Sequence, residues 1–205
     1  MCIRDRDSIG QIDNSIDLGY VLVAFNKNDP KQEITGFARV TYTRNPEKHW
    51  LHEIAISSKL QSKGVGYSIM TAAKEMSFDL GGAELYFTYD PFEGKSGNLY
   101  LTKCGAKGIK IHEDLYGRVK SPSHTNRRTH RILVKWDLLM DSAGSNAERV
   151  KNQQIAIASD YSQITTESAI RVEIPYRVHE LNGREAIKWE KKVMPVLVEA
   201  INNRH

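Results

Sequence analysis

The chain has 205 residues, 40% of them hydrophobic, and a formal net charge of +4. That length holds one domain, or one domain plus an appendage, with enough apolar residue to bury a core. No apolar run reaches the ~20 residues that span a bilayer, no signal-peptide pattern opens the chain, and Cys2 and Cys104 are too few for a disulfide framework and lack metal spacing. Lys and Arg are spread widely, as on a solvated surface, and not gathered as in a nucleic-acid footprint. The expectation is a reduced, cytoplasmic protein without a metal.

Residues 1–6 (MCIRDR) fit nothing that follows and are set aside as a leader; residues 7–17 are polar, a loop. Residues 18–25 (LGYVLVAF) read as a strand, 26–31 with its Asn-Asp-Pro as a hairpin turn, and 33–43 as the paired strand. Ile34, Phe37, Val40 and Tyr42 mix the faces of that second strand, which implies a bulge. Residues 51–57 (LHEIAIS) suit a buried strand. Within it Glu53 lies between His52 and Ile54 and so faces the other side of the sheet from both. His52 is a structural histidine or a base; Glu53 is a solvated carboxylate or a catalytic one.

Gln61-Ser62-Lys63-Gly64-Val65-Gly66 then opens into a helix whose Val65, Ile69, Ala72, Ala73, Met76 and Leu80 share one stripe. Gly81-Gly82 ends it. A glycine turn at a helix N-terminus leaves N–H groups unpaired at the positive end of a dipole worth roughly half an elementary charge. Phosphate or pyrophosphate suits that place, although the same glycines would serve a plain bend. The dinucleotide fingerprint fails, because Tyr67, Ser68 and Ile69 follow Gly66, and no Gly-Lys-Ser/Thr makes a P-loop.

Residues 83–89 (AELYFTY) are a β-rich run stopped by Asp90-Pro91. Residues 93–104 read as a helix weakened by Gly94 and Gly97, closing on Lys103-Cys104-Gly105. Strands are expected near 106–112 and 131–138, around a polar loop with seven Lys/Arg against two acids from residue 107 to 131. That loop, Arg127 and Arg128 included, is either a solvated hairpin tip or a holder of anionic groups. Residues 141–148 (DSAGSNAE) form a linker by composition, 155–159 and 169–175 read as strands, and 184–202 as a helix that Pro195 kinks or splits. The domains are then 1–16, leader and loop; 17–140; and a C-terminal extension, 141–205.

Gln61, Gly64 and Gly66 after an Ile-Ala-Ile strand make a Q-x-x-G-x-G phrase that resembles the acetyl-CoA signature of the GNAT N-acetyltransferases. The order strand, loop, helix, strand, helix, strand, strand over residues 20–138 is similar to that family. TYDPFE, LYGR, HRILVKWDL and RVEIP look like a little-characterised subgroup of microbial acetyltransferases. The resemblance implies an α/β (α+β) fold: a mixed, mainly antiparallel sheet flanked by helices, lacking the family's first strand and two helices, with the extension outside the common core. It implies transfer of an acetyl group from acetyl-CoA to the amine of a small molecule or peptide.

Acetyl-CoA would be the co-substrate. Its expected contacts are the backbone of Ile54, Ala55 and Ile56, the turn Gln61, Ser62, Lys63, Gly64, Val65, Gly66 and Tyr67, and Asn98. Glu53, His52 and Asp90 are the candidate bases. Tyr100 is the candidate general acid, although aligning on Lys103-Cys104-Gly105 puts Leu101 at the family's tyrosine position, about 100° away on a helix. The partners implied are acetyl-CoA and an amine acceptor, with no membrane and no nucleic acid; a homodimer is one arrangement. The alternative is a CoA-binding regulatory domain with little transferase activity.

Overall fold

The computed structural model describes residues 2–6, 18–26, 31, 33–117, 127–140, 156–157 and 170–202. Among them the β-prone runs become strands β1 (Cys2–Arg6), β2 (Gly19–Phe25), β3 (Ile34–Tyr42), β4 (Lys48–Ile56), β5 (Glu84–Tyr89), β6 (Lys107–His112), β7 (Arg131–Asp137), β8 (Ala156–Ile157) and β9 (Ile170–Arg171). The helices are α1 (Val65–Asp79), α2 (Gly94–Gly97) and α3 (Gly183–Asn202). Strands β1 to β7 form one sheet in the order β1-β2-β3-β4-β5-β7-β6, and β8 pairs with β9. The pairing is antiparallel from β1 to β4 and parallel between β4 and β5. The fold is thus a mixed α/β one, a sheet flanked by helices. Residues 2–6, set aside in the sequence, pair with β2 from Cys2↔Phe25 to Arg6↔Val21. The linker expected at 141–148 lies outside the described residues. No described helix is long and apolar enough to cross a membrane.

Two compact units divide the chain, residues 1–87 with 135–141 and residues 88–134 with 142–205. In the first, α1 packs on β2, β3 and β4. Its buried face is Val65, Ile69, Met70, Ala73 and Ser77, not the expected stripe ending in Met76 and Leu80. Tyr20 explains the shift. Its hydroxyl donates to the Ala73 carbonyl at 2.9 Å and lies 2.6 Å from Ser77 Oγ, which must then be the donor to it. A serine joins the core because a tyrosine across the interface satisfies it, while Leu80 stays 46% exposed. The helix ends as expected: Gly81, at φ +85°, donates to Phe78 and Gly82 to Ser77, the two bonds of a Schellman motif.

Two bulges interrupt the pairing. Thr35 is the extra residue between Phe25↔Ile34 and Ala24↔Gly36, so the bulge expected in β3 is found at its start. His52 is the extra residue between Val40↔Leu51 and Arg39↔Glu53. A bulge breaks the two-residue alternation of a strand. His52 and Glu53 are therefore both exposed, against the expectation of opposite faces.

In the second unit α3 packs on β6 and buries Ala186, Val193, Met194 and Val196. Pro195 neither splits nor ends α3. It lies on the exposed side, where the carbonyl it leaves without an N–H partner meets water. At the end of α3 the Asn202 amide takes both backbone groups of Ile111, accepting at 2.8 Å and donating at 3.2 Å.

His49 gives the first unit a pH dependence. The side chain is 1% exposed, its Nδ1 has no hydrogen-bond partner, and burial lowers its pKa against the opposing bond to the Pro46 carbonyl. The folded chain thus prefers the neutral ring. The unfolded chain binds the extra proton first, so stability is lost as pH falls below the ordinary value of 6.5. Urea midpoints measured from pH 7.5 to 5.5 should fall more steeply for the wild type than for His49→Phe.

Candidate active site

Strand β4 pairs with β3 as far as Gly36↔Ile56, but with β5 over three residues only, Lys48↔Glu84 to Trp50↔Tyr86. Among the described residues, the backbone of β4 beyond Trp50 has no ladder partner on its β5 side. Ile54 and Ile56 are half-buried there and Ala55 is exposed. The strand end is braced by Gln61, whose side-chain amide donates to the Ile56 carbonyl at 3.3 Å.

The turn that follows is unusual in its backbone. Ser62 stands at φ +61° and Gly64 at φ +87°, two left-handed residues with Lys63 between them. A non-glycine in that region is uncommon, and a residue with a Cβ there is strained by roughly 1–2 kcal/mol. Gly64 is the N-cap of α1, and no side chain caps it. The first-turn N–H groups, up to Tyr67, have no acceptor within the helix. A Cβ built on Gly64 meets nothing within 4 Å, so open space lies in front of the turn. Gln61, Ser62, Lys63 and Tyr67 are exposed, Gly66 is half-buried, and Val65 anchors the turn in the core. A ring of N–H donors beside one lysine and open space can bind an anion.

Of the candidate bases in this unit, Glu53 accepts an ion pair from Arg39 at 2.9 Å, with both side chains partly exposed. His52 is exposed in the bulge, with no described hydrogen bond orienting its ring.

The second unit holds Asp90, Asn98 and Tyr100. Asp90 is 8% exposed. One oxygen accepts from the Phe92 N–H at 2.9 Å and from Arg127 Nη1 at 3.3 Å, and the other takes Arg127 Nη2. Both oxygens are engaged, so Asp90 is a tie for the loop and not a vacant proton acceptor. Arg127, expected in a polar loop that could hold phosphate, is 8% exposed and stacked 5.7 Å from the Phe92 ring. Arg128 alone of that pair faces solvent, its side chain 64% exposed and its Nε 3.6 Å from Glu190.

The helix expected over 93–104 is replaced by α2 and a π-turn over Asn98–Lys103. Cys104 donates to Leu99, a bond to the fifth residue back. A π-turn holds one residue more per turn than an α-helix. Counting back four from Gly105 in an α-helix gives Leu101; counting back five through a π-turn gives Tyr100. Tyr100 is buried, its ring 5.5 Å from that of Tyr89. Burial pushes the pKa of both phenols well above the ordinary value of 10.0. Asn98 is exposed.

One pair escaped the sequence reading. Glu93, just before α2, meets His179 of the extension, Oε1 to Nδ1 at 2.7 Å. The two are 86 residues apart, and no local pattern links them.

The acetyltransferase (GNAT) family model matches residues 5–106. That stretch contains the β4–turn–α1 segment and the π-turn, and the chain belongs to the GNAT acetyltransferases. Among solved structures it is similar to an IAA acetyltransferase from Bacillus cereus (21% identity, 63% of this chain and 85% of that one, TM-score 0.50). It is also similar to the ribosomal-protein-S18-alanine N-acetyltransferase from Escherichia coli (16%, 62% and 74%, TM-score 0.51). A third likeness is to a Bacillus subtilis acetyltransferase in complex with CoA (20%, 65% and 86%, TM-score 0.50). At these identities the likeness is one of fold. No curated protein matches the chain.

The Asp90–Arg127 pair predicts a large stability effect. Removing one partner of a buried pair strands the other charge, at a cost of about 3–5 kcal/mol. Asp90→Asn and Arg127→Met should each lower the urea midpoint accordingly, whereas Arg128→Met should shift it little.

Proposed function

We propose that this N-acetyltransferase moves an acetyl group from acetyl-CoA to the amine of a small molecule or peptide, with the Gln61–Tyr67 turn as the pyrophosphate site. One observation carries the reading: two left-handed residues lead into an uncapped helix N-terminus that faces open space. Ser62 holds a strained conformation that a plain bend does not need. On the edge of β4 away from β3, the run Ile54–Ile56 has no ladder partner among the described residues, and the backbone groups there not taken by Gln61 would pair with the amides of pantetheine. Lys63 would add a point charge. The CoA complex of the Bacillus subtilis structure supports the same ligand class.

Tyr100 is the proposed general acid. A raised pKa keeps the phenol protonated at neutral pH, ready to give its proton as charge develops on the departing sulfur. Asn98, exposed beside it in the chain, would reach the pantetheine arm. The π-turn supports this assignment by restoring the phase of Tyr100 relative to Gly105.

Two measurements test the proposal. Calorimetric titration with acetyl-CoA should show binding to the wild type and its loss in Gly64→Val and Gly66→Val, with folding checked by circular dichroism; Ser62→Ala should change little. Lys63→Ala should weaken binding roughly ten- to a hundred-fold, less at high salt. A folded Gly64→Val protein that binds like the wild type would reduce the turn to a bend. Tyr100→Phe should bind normally and lower thiol release by on the order of a hundred-fold or more. Binding without thiol release from the wild type would favour a regulatory CoA-binding domain.

A further inference from the structure

Strand β3 presents two different faces within the first unit. Alternation sends Gly36, Ala38 and Val40 toward α1, where Ile69 Cδ1 stands 3.0 Å from the place a Cβ on Gly36 would take. Phe37, Arg39 and Thr41 face the other way and are half-buried. On that face the register sets Phe37 beside Ala55 and Arg39 beside Glu53 of β4. On its β2 side Arg39 meets Val21. An apolar pair and a charged pair thus lie next to each other, two residues apart on each strand. We propose that this patch receives the acceptor, and that the acceptor carries a carboxylate beside its amine. Arg39 holds the carboxylate and Glu53 the ammonium group. This narrows the substrate class of the transferase reading above, on which it rests.

The direction of the cofactor sets the place. With the pyrophosphate at the Gln61–Tyr67 turn, past the last residue of β4, the pantetheine arm runs back along the strand from Ile56 toward Trp50. Among the described residues the ladder to β5 stops at Trp50, so the edge open to the arm is Leu51–Ile56. A strand rises about 3.3 Å per residue, which puts Glu53 roughly 10 Å back from Ile56. An arm with two amides, paired along this edge, carries its thioester end into that part of the strand. There the extra residue at His52 leaves both His52 and Glu53 exposed.

The charged pair has the character of a recognition pair. Glu53 Oε2 accepts from Arg39 Nη2 at 2.9 Å, with the side chains 46% and 32% exposed. So wet a pair contributes little to stability and opens at little cost. It also leaves the arginine under-used. Arg39 Nε is buried and has no hydrogen-bond partner among the described residues. A guanidinium offers five donors in a fork that matches a planar carboxylate, and Glu53 takes one nitrogen of it.

These charges discriminate between amines. A bare ammonium group brings only a cation, and at Glu53 it meets the like charge of Arg39 close by. An amino acid brings its own counter-charge. Its carboxylate neutralises Arg39 and releases Glu53 for the ammonium group, so one ion pair is exchanged for two. The Phe37–Ala55 pair supplies an apolar surface beside them for the acceptor's side chain.

The experiment uses the full chain, acetyl-CoA and thiol release with matched acceptors. The first set is phenylalanine, phenylalaninamide and phenethylamine. The second is leucine, leucinamide and 3-methylbutylamine, with β-alanine and 4-aminobutyrate to vary the distance between the charges. In each set kcat/KM for the acid should exceed that for the amide and the bare amine by roughly ten- to a hundred-fold. Arg39→Gln should erase that preference, chiefly through KM for the acids, and Arg39→Lys should keep part of it. Glu53→Gln should lower kcat/KM for acids and amides alike. All three variants should fold by circular dichroism and bind acetyl-CoA in calorimetry as the wild type does. A merely structural ion pair would leave the acid-to-amide ratio of Arg39→Gln at the wild-type value, and that result overturns the inference. A wild type that binds acetyl-CoA yet favours the amides or amines, or acetylates none of the acids, overturns it too. A wild type that fails to bind acetyl-CoA removes the transferase reading itself.

Discussion

Strand β4 has to serve two neighbours of opposite sense, and much of the first unit follows from how unequally it does so. It satisfies antiparallel β3 to its last residue, yet it gives parallel β5 only three pairs. Backbone N–H and C=O groups cannot be left dry and unpaired. The stretch after Trp50 must therefore meet water or a ligand along one edge. The extra residue at His52 adds twist at the point where the ladder stops. The chain then has to reverse into α1, which it does through Ser62 and Gly64 in the left-handed region. An unpaired strand edge and an uncapped helix start are two consequences of one constraint, and both consist of backbone groups.

The second unit shows how the described part of the extension packs. Strand β6 lies at the sheet's edge, where unpaired backbone invites pairing with another chain. The amide of Asn202 fills that role at Ile111. Higher on α3, Glu190 Oε1 lies 3.2 Å from the buried His130, off the hydrogen-bond direction, and 3.6 Å from Arg128. Residues 172–180 hold the first turn of α2 through Pro175 and Tyr176. Each contact reaches a different element, so the described part of 142–205 packs with residues 88–134 as one unit.

Features written in local chemistry were legible in the sequence. The Gly81-Gly82 stop, the Asp90-Pro91 end of β5 and the glycine turn after β4 each follow from a residue's own backbone preference. What the sequence hid was set by distant partners or by a change of helical period. Ser77 is buried because of Tyr20, and Arg127 because of Asp90 and Phe92. Nothing in Asn98–Lys103 announces the π-turn that replaces the expected helix. Pro195 breaks no helix because its side of α3 is wet. The Glu93–His179 pair is 86 residues apart in the chain, and only the fold brings it together.

This division has a chemical logic. A site made of backbone N–H groups needs little from side chains beyond room, so a short glycine phrase suffices to write it. Moving a proton needs a particular ring or carboxylate at a particular atom. Such a group need not come from the stretch that binds the cofactor. Gly94, just past the end of β5, is the residue that admits the segment around Pro175. Residues 5–106 match the family model, whereas Pro175, Val178 and His179 lie beyond that stretch. The Glu93–His179 contact thus joins a residue inside the matched stretch to one outside it, while the glycine turn lies wholly within it.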